Sequence, residues 1–493
     1  MQWSFMTTNL DINAIPEESS RQRLGLLRMI LILSVPAILS ELSTTLMQYI
    51  DAGMVGMLGA HATASIGLVE STIWLLDGWA MCVAMGFTVQ VAQFVGARRL
   101  DEARSVLRQG VVSAFLFGVF MALAGVLVSV QVPIWLGGST DLQADASSYF
   151  LICSCSVLPV ALGRLGTGML QCSGDMRTPS VLNVASCVLD VLFNSLLIRD
   201  AHDVVAFGLT LHVPGLGLGI QGAALGTLLA QTAVALLLLW FACVKSPVLG
   251  LWQHDDAQGA PMQPRPSHAR LWVPGRATLR AACSIGGPML LERTVMSFAY
   301  IAGTVVVAPL GTVSVAANSL AVTAEAVCYM PCVGVSAAAT TLVGQAVGAR
   351  RKSLARAFAR LSTLLGVALM GLMGAVMYAL APQIMAMLTP DAAVQALGSE
   401  VLRIESFAEP LFGASIVAAG ALRGAADTLV PSFIVMGSMW GVRITASWLL
   451  APLWGLRGVW LAMAGELCLR GILFLVRLFR GNWLRNMLGE DRS

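Results

Sequence analysis

The chain alternates between long apolar runs and short breaks of polar, Gly and Pro residues. The apolar runs lie at 28–57, 64–94, 107–131, 147–171, 179–198, 218–244, 281–308, 313–344, 359–381, 399–422, 431–453 and 456–479. A membrane-spanning helix needs about 20 mainly apolar residues. The pattern therefore predicts an all-α integral membrane protein with twelve transmembrane helices.

A polar break rich in Pro, His, Gln and Arg divides the twelve runs into two sets of six. The predicted organisation is a cytoplasmic amino-terminal segment (1–27), a first lobe (28–244), a cytoplasmic linker (245–280), a second lobe (281–480) and a cytoplasmic tail (481–493). The first run is too long for the core of a signal peptide and no small-residue cleavage site follows it, so we expect it to remain as the first helix.

The two halves repeat each other in sequence. A shift of 252 residues places Pro36 on Pro288, Leu58-Gly59 on Leu310-Gly311 and Val95-Gly-Ala-Arg-Arg99 on Val347-Gly-Ala-Arg-Arg351. After a longer loop in the first half, at 199–216, the shift becomes 236 and places Gly219 on Gly455. Repeats of six helices keep one orientation in the membrane, so the repeat predicts two pseudo-symmetric lobes related by an axis along the membrane normal, with a binding site between them.

Charge is scarce and unevenly placed. The 30 Lys and Arg and 27 Asp and Glu make up 12% of the chain, against about 25% in an average soluble domain. The low charge and the mean hydropathy of +0.78 exclude an ordinary soluble enzyme, and no separate basic domain suits a nucleic-acid partner. With a cytoplasmic amino terminus, 23 of the 30 positive residues fall on the cytoplasmic side. The positive-inside rule therefore predicts that both termini are cytoplasmic.

Acidic residues inside membrane helices are costly and are candidate functional residues. Asp51 falls on Gly303 in the repeat and Asp190 falls on Val442, so these two acids belong to the first half alone. Each lies eight residues before the predicted outer end of its helix, about 12 Å below that end. We expect the two carboxyl groups to share one pocket, where they take up a proton from outside and release it inside. The alternative is that both acids are structural.

Several motifs together resemble those of the multidrug and toxic compound extrusion (MATE) family. They are Pro36 with the string Asp51-Ala-Gly-Met-Val-Gly-Met-Leu-Gly59, the two Val-Gly-Ala-Arg loops, Leu-Gln-Cys-Ser-Gly174, Leu-Arg-Gly424, and Leu189-Asp190. The resemblance covers nearly the whole chain. It implies two six-helix lobes around a V-shaped central cavity, and export of organic, often cationic, compounds against an inward proton or sodium gradient.

The resemblance also assigns residues to a coupling site in the first lobe. Asp51 matches the helix-1 acid of the family, and Asp190 matches the helix-5 acid of one branch. Ser186 stands where that branch has Asn, and Thr227 matches the threonine of the same network. The second-lobe carboxylates of another branch are replaced by Met296 and Phe412. We therefore expect protons as the coupling ion, with Na⁺ possible at Asp51 and Asp190, and no bound cofactor.

Other acids lie in the predicted helices without matching a family motif. Glu292 either lines the cavity and meets a cationic substrate or pairs with a neighbouring basic residue. Glu70 and Asp77 share one helix face at i and i+7, where they could line the cleft between the lobes. Glu405 and Glu409 share a face at i and i+4, and Glu409 is a candidate cavity residue.

Two alternative functions carry less weight. Gly217 to Gly222 spell GxGxxG, but no strand precedes them as a dinucleotide site requires, so the motif predicts close helix packing and no enzyme. A flippase for lipid-linked precursors would need a strongly basic cavity, and only Arg164, Arg293, Arg443 and Arg470 lie in the spans.

We predict a monomeric antiporter of small organic substrates in the inner (plasma) membrane.

Overall fold

The computed structural model describes residues 20–198, 200–206, 209–251 and 272–484. Most of the predicted amino-terminal segment, the centre of the linker and most of the tail lie outside these residues. The helices of the first half are α1 (Ser20–Gly56), α2 (Ala60–Gly96), α3 (Leu100–Val128), α4 (Gln131–Trp135), α5 (Thr140–Cys172), α6 (Arg177–Leu197) and α7 (Gly219–Trp240). Those of the second half are α8 (Arg276–Val307), α9 (Thr312–Gly348), α10 (Lys352–Leu388), α11 (Ala392–Ser406), α12 (Glu409–Gly424), α13 (Leu429–Ser438), α14 (Thr445–Trp454) and α15 (Leu456–Arg480).

The twelve predicted spans are confirmed, with one of them broken in two. Within the described ranges, eleven helical segments are long and apolar enough to cross a membrane. The tenth predicted span, 399–422, consists of α11 and α12, which are separated by a short break at Phe407 and Ala408. Pro410 follows at the start of α12, where a missing backbone N–H costs nothing.

Two spans contain a segment of wider helix. The five residues Phe241–Lys245 continue α7 as a π-helix. The six residues Met439–Ile444 join α13 to α14 in the same way, so that the eleventh span is continuous. Each insertion shifts the register of the side chains that follow it, and π-helical turns are frequent at functional sites.

The predicted loop at 199–216 is largely a β-hairpin. Strand β1 (Asp200–Ala206) pairs antiparallel with β2 (Leu209–Leu216), with Asp203 opposite His212. The hairpin lies between α6 and α7. The other regular elements of the described residues are helices, so the chain is not entirely helical. The span pattern missed it because the segment has mixed polarity and is too short to cross a membrane.

The internal repeat is visible in the backbone as well as in the sequence. Matching turns adopt positive φ angles in both halves: Gly59 (103°) and Gly311 (95°), Arg98 (57°) and Arg350 (58°), Gly174 (100°) and Ala426 (61°), and Gly219 (55°) and Gly455 (58°). Positive φ is strained for a side chain other than Gly. Both copies of the arginine turn, at Arg98 and Arg350, accept this conformation, and Ala426 accepts it where the first half has Gly174, so the turn keeps its shape although the residue type differs.

One compact unit, unit 1, comprises the described residues of 1–42, 92–98 and 288–493. Its core contains Met377, Val401 and Trp460, all nearly inaccessible. In this unit the first part of α1 packs on α9, where Gly334 lies directly against the backbone of Ile38. The end of α2 also belongs to unit 1.

The ends of α2 and α9 cross at two glycines that are equivalent in the repeat. A side chain on Gly96 would collide with the carbonyl of Gln345, and one on Gly348 would collide with the carbonyl of Gln93. The Nε2 of Gln93 donates a hydrogen bond to the carbonyl of Gly424 (3.2 Å). Small residues allow this close approach of two helix backbones.

The other compact unit, unit 2, comprises the described residues of 43–91 and 99–287. It includes the first part of α8, where the carbonyl of Thr278 accepts a hydrogen bond from Nε2 of Gln90 on α2 (3.3 Å). Each unit therefore contains a segment from the opposite half of the sequence. The lobe boundaries 28–244 and 281–480 remain a sequence prediction.

Candidate functional site

Three polar residues follow one another at four-residue intervals on α6. Ser186, Asp190 and Asn194 are buried, and the last two have 0% of their surface exposed. Their spacing places them on one face of the helix. The other residues of α6 are mainly apolar, so this stripe is a polar seam within unit 2.

Asn194 joins the two acids that are predicted to meet. Its Nδ2 donates one hydrogen bond to Oδ1 of Asp51 on α1 (2.8 Å) and another to Oδ2 of Asp190 (3.0 Å). Asp51 is half-buried, and Asp190 is fully buried. The structure therefore brings Asp51 and Asp190 together, with the amide nitrogen of Asn194 as the bridge.

Helix α7 forms the wall behind this bridge. A side chain on Gly226 would collide with Oδ1 of Asn194, so only Gly leaves room for the amide. The next residue, Thr227, lies in contact with Asp190, and its hydroxyl donates to the carbonyl of Ala223 (3.2 Å). The predicted threonine thus belongs to the cluster.

The cluster has more acceptors than donors. Oδ1 of Asp190 and Oδ1 of Asn194 are buried and receive no hydrogen bond from any residue that the structure describes. The carboxyl group of Asp51 also lies beside that of Asp190. A buried acceptor without a donor is costly, and so are two adjacent negative charges. A proton or another small cation would relieve both costs.

Ser186 lies on the same face of α6 as the two bridged residues, Asp190 and Asn194. Its side chain is buried one turn before Asp190, but within the described chain it makes no hydrogen bond to Asp51, Asp190 or Asn194. The amide that one family branch has four residues before this acid is supplied here four residues after it. The i+4 spacing from Asp190 was the signal in the sequence for Asn194, which our sequence reasoning missed.

The two acids of α2 have separate surroundings. Asp77 accepts a hydrogen bond from Nη2 of Arg164 on α5 (3.0 Å), and both side chains are about two-fifths exposed. Glu70 is exposed, and Tyr149 lies near both Glu70 and Asp51. The helix spacing placed Glu70 and Asp77 correctly on one helix, but Asp77 is one member of an ion pair.

The second-half acids differ in accessibility. Glu292 is half-buried and accepts a hydrogen bond from the hydroxyl of Ser432 (2.6 Å), which is neither of the partners predicted for it. Glu409 is fully buried against Gly374 of α10. On its sequence Glu409 is a candidate cavity residue, and in the structure helix packing encloses its carboxyl group.

The described residues include no group of three or more His, Cys, Asp or Glu side chains placed to hold a metal ion. The pair of Asp51 and Asp190 is too small for such a group. The cysteines among the described residues form no disulfide bond with one another.

Comparison with known proteins agrees with this architecture. The MatE family model matches twice, at residues 36–196 and 288–449, and the two matches begin at the pair of equivalent prolines. A probable multidrug resistance protein NorM from Thermotoga maritima is 22% identical over 463 residues, covering 93% of this chain and 94% of the relative. A protein of the same name from Xanthomonas axonopodis pv. citri is 27% identical over 456 residues, covering 90% and 92%.

Solved structures show the same fold. A MOP superfamily transporter from Pyrococcus furiosus superposes with a TM-score of 0.81 at 18% identity, covering 95% of this chain and 100% of the other. A MATE transporter from Vibrio cholerae gives 0.81 at 17% identity, covering 95% and 99%. The two matching repeats, the twelve spans and these folds together establish that the chain is a multi-span membrane transporter, not an enzyme, and belongs to the MatE family.

Proposed function

We propose that this protein exports organic, often cationic, compounds across the inner (plasma) membrane in exchange for protons bound by the Asp51–Asp190 pair. The names of its relatives support multidrug efflux. The observation that carries the proton-binding part is the bridge from Asn194 to both carboxyl groups. The substrates are small molecules and no bound cofactor takes part.

The geometry suggests how a proton acts on the site. With both acids ionised, the single amide of Asn194 holds two negative groups that repel each other in a buried pocket. One proton on either carboxyl group removes that repulsion and allows the two groups to share a hydrogen bond. Since α1 carries Asp51 and α6 carries Asp190, the protonation state biases the separation of these two helices. A ligand shifts a conformational equilibrium by its different affinity for the two states, and the proton acts here as that ligand.

Two observations favour protons over Na⁺. The described residues form no group of three or more His, Cys, Asp or Glu side chains placed to hold a metal ion. The positions of the second-lobe carboxylates of the sodium-binding branch hold Met296, which is buried, and Phe412. A proton needs only one of the unpaired acceptor atoms, whereas a metal ion needs several oxygen ligands.

The flippase alternative receives no support from the arginines of the spans. Arg164 is paired with Asp77, and Arg470 makes two hydrogen bonds to Glu466, each 2.7 Å long. These two charges, of Arg164 and Arg470, are neutralised within their own units.

We also propose that both termini are cytoplasmic, which the distribution of Lys and Arg supports. We expect the protein to be a monomer.

The test is transport in proteoliposomes with a fluorescent organic cation, driven first by a pH gradient and then by a sodium gradient. We expect the pH gradient to drive efflux in the native protein and to fail in Asp51→Asn. The matched control is Glu400→Gln, which removes an exposed acid paired with Arg457 and should leave transport unchanged. Efflux at the native rate in Asp51→Asn would refute the coupling role, and transport under neither gradient would refute the antiporter.

A further inference from the structure

Unit 1 contains its own cluster of buried acids. Glu325 on α9 is 6% exposed, and Glu405 at the end of α11 and Glu409 at the start of α12 are 0% exposed. The repeat places apolar or weakly polar residues at the equivalent positions of the first half: Ile73, Cys153 and Val157. These acids are therefore specific to the second half, as Asp51 and Asp190 are specific to the first.

Two carboxyl groups of this cluster, those of Glu405 and Glu409, have no donor among the described residues. Both oxygens of Glu405 and both oxygens of Glu409 are buried and receive no hydrogen bond from the residues that the structure describes. The carboxyl group of Glu325 lies beside that of Glu405. An ionised carboxylate in such a position would lose its hydration without replacement, which is far more costly than burying the neutral acid.

The charges around the cluster do not neutralise it. The neighbouring titratable groups are Cys328 and Cys332 on α9, Arg443 in the π-helical segment Met439–Ile444, and Arg470 on α15. Arg470 is paired with Glu466 of the same helix. Helix α10 contributes Gly374 beside Glu409 and Met377 beside Cys328, and both are uncharged.

Glu466 is already satisfied. Arg470 donates to both of its carboxyl oxygens (2.7 Å each), and the hydroxyl of Ser438 donates to Oε1 (2.5 Å). With this pair closed, the positive charge that remains beside the cluster is the guanidinium of Arg443, which lies near Glu325 and Glu405. Three ionised carboxyl groups against this one charge would leave two negative charges in excess.

The enclosure of the cluster restricts the ligand that can cancel those charges. Glu409 packs against Gly374, and a side chain at Gly374 would lie 3.0 Å from Cβ of Glu409. The cluster does not form a metal-binding group within the described ranges. A proton is the ligand that needs no space and no further oxygen atoms.

We propose that Glu325, Glu405 and Glu409 form a second proton-binding site, in unit 1, which holds two protons beside Arg443. This site goes beyond the proposed function, which places the coupling acids in unit 2. Glu405 precedes and Glu409 follows the break at Phe407 and Ala408. Release of the protons would place negative charge on both sides of that break, so the site links protonation to the angle between α11 and α12.

Infrared difference spectroscopy of the full-length protein in lipid nanodiscs tests the site directly, because a protonated carboxyl group has its own C=O stretching band. We expect this band at neutral pH in the native protein. It should lose the intensity of about two carboxyl groups in the double variant Glu405→Gln/Glu409→Gln, which follows from the excess of two charges. Glu400→Gln, also on α11 but exposed and paired with Arg457, should leave the band unchanged.

Thermal unfolding provides a second readout. Gln has the shape of a protonated Glu, so Glu405→Gln and Glu409→Gln should unfold within a few degrees of the native protein. If the acids are instead ionised partners of Arg443, each variant leaves a buried charge less compensated and should unfold at a much lower temperature. An unchanged infrared band, or such a loss of stability, would overturn the proposal.

The same spectra separate this site from the proposed coupling site. Asp51→Asn should stop transport and leave the bands of Glu405 and Glu409 in place. Loss of those bands in the double variant therefore supports the second site even if Asp51→Asn transports normally.

Discussion

A single amide, that of Asn194, holds the two acids of unit 2 together. Hydrogen bonds to charged groups contribute about 1.5–3 kcal/mol each. Because Asn194 makes two of them and is itself fully buried, its removal should affect both stability and coupling. Ser186 lies on the same helix face without such bonds and is the natural comparison.

We expect Asn194→Ala to lower the free energy of unfolding by about 2–4 kcal/mol and to impair proton-driven transport, whereas Ser186→Ala should have little effect on either. Thermal unfolding in detergent and liposome transport measure the two quantities. Equal effects of the two substitutions would show that the bridge is not the organising contact.

The strained turn at Ala426 offers a stability test. Its φ of 61° is the left-handed conformation, which Gly adopts freely, and its repeat equivalent is Gly174. We expect Ala426→Gly to raise the free energy of unfolding by up to about 1 kcal/mol and the reverse change, Gly174→Ala, to lower it by at least as much. A lower unfolding temperature for Ala426→Gly would contradict this account.

The sequence indicated the charged members of the site and missed the neutral one. Asp51 and Asp190 were recognisable because an acid in an apolar span is costly and because the repeat lacks both. Asn194 carries no charge. Its i+4 spacing from Asp190 places it on the same helix face, but its contact with Asp51 depends on the approach of α1 to α6, which no local pattern contains.

At the scale of helices, the crossing of α2 and α9 in unit 1 depends on the absence of two side chains. Gly96 and Gly348 each face the backbone of the opposite helix. The span pattern predicted both helices within a few residues, because their apolar runs are long. It contained no information on where the helices cross, on the break at Phe407 and Ala408, or on the hairpin between α6 and α7.

We expect Gly96→Ala to destabilise the protein by several kcal/mol, because the backbones of α2 and α9 must separate to admit even a methyl group. The control is Gly67→Ala on the same helix, where the added methyl group meets no atom within 4 Å. That change should be neutral or stabilising by up to about 1 kcal/mol, since Ala is the better helix former. Thermal unfolding distinguishes the two, and similar midpoints would show that the crossing is not tightly packed.

At the scale of the molecule, the compact units do not coincide with the two halves of the sequence. The repeat and the polar linker predicted lobes at 28–244 and 281–480, and unit 2 extends to residue 287 and lacks residues 1–42. The repeat indicated that the halves are alike, but it contained no information on the exchange of the first parts of α1 and α8.

Fragments of the chain test this exchange. A fragment of residues 1–287 contains all of unit 2, whereas a fragment of residues 1–260 lacks the part of α8 that packs on α2. We expect the longer fragment to be the more stable and more monodisperse in detergent. Equal behaviour of the two fragments would mean that this part of α8 contributes nothing to unit 2.

The assignment of the first part of α1 to unit 1 also has a consequence for the order in which the helices are synthesised and can pack. Residues 20–42 of α1 are among the first to enter the membrane, yet most of unit 1 begins at residue 288, after 245 intervening residues. At about 5–20 residues per second, the ribosome needs roughly 12–50 s to make them. During that time the first part of α1 must wait in the bilayer or at the insertion machinery without its partner α9.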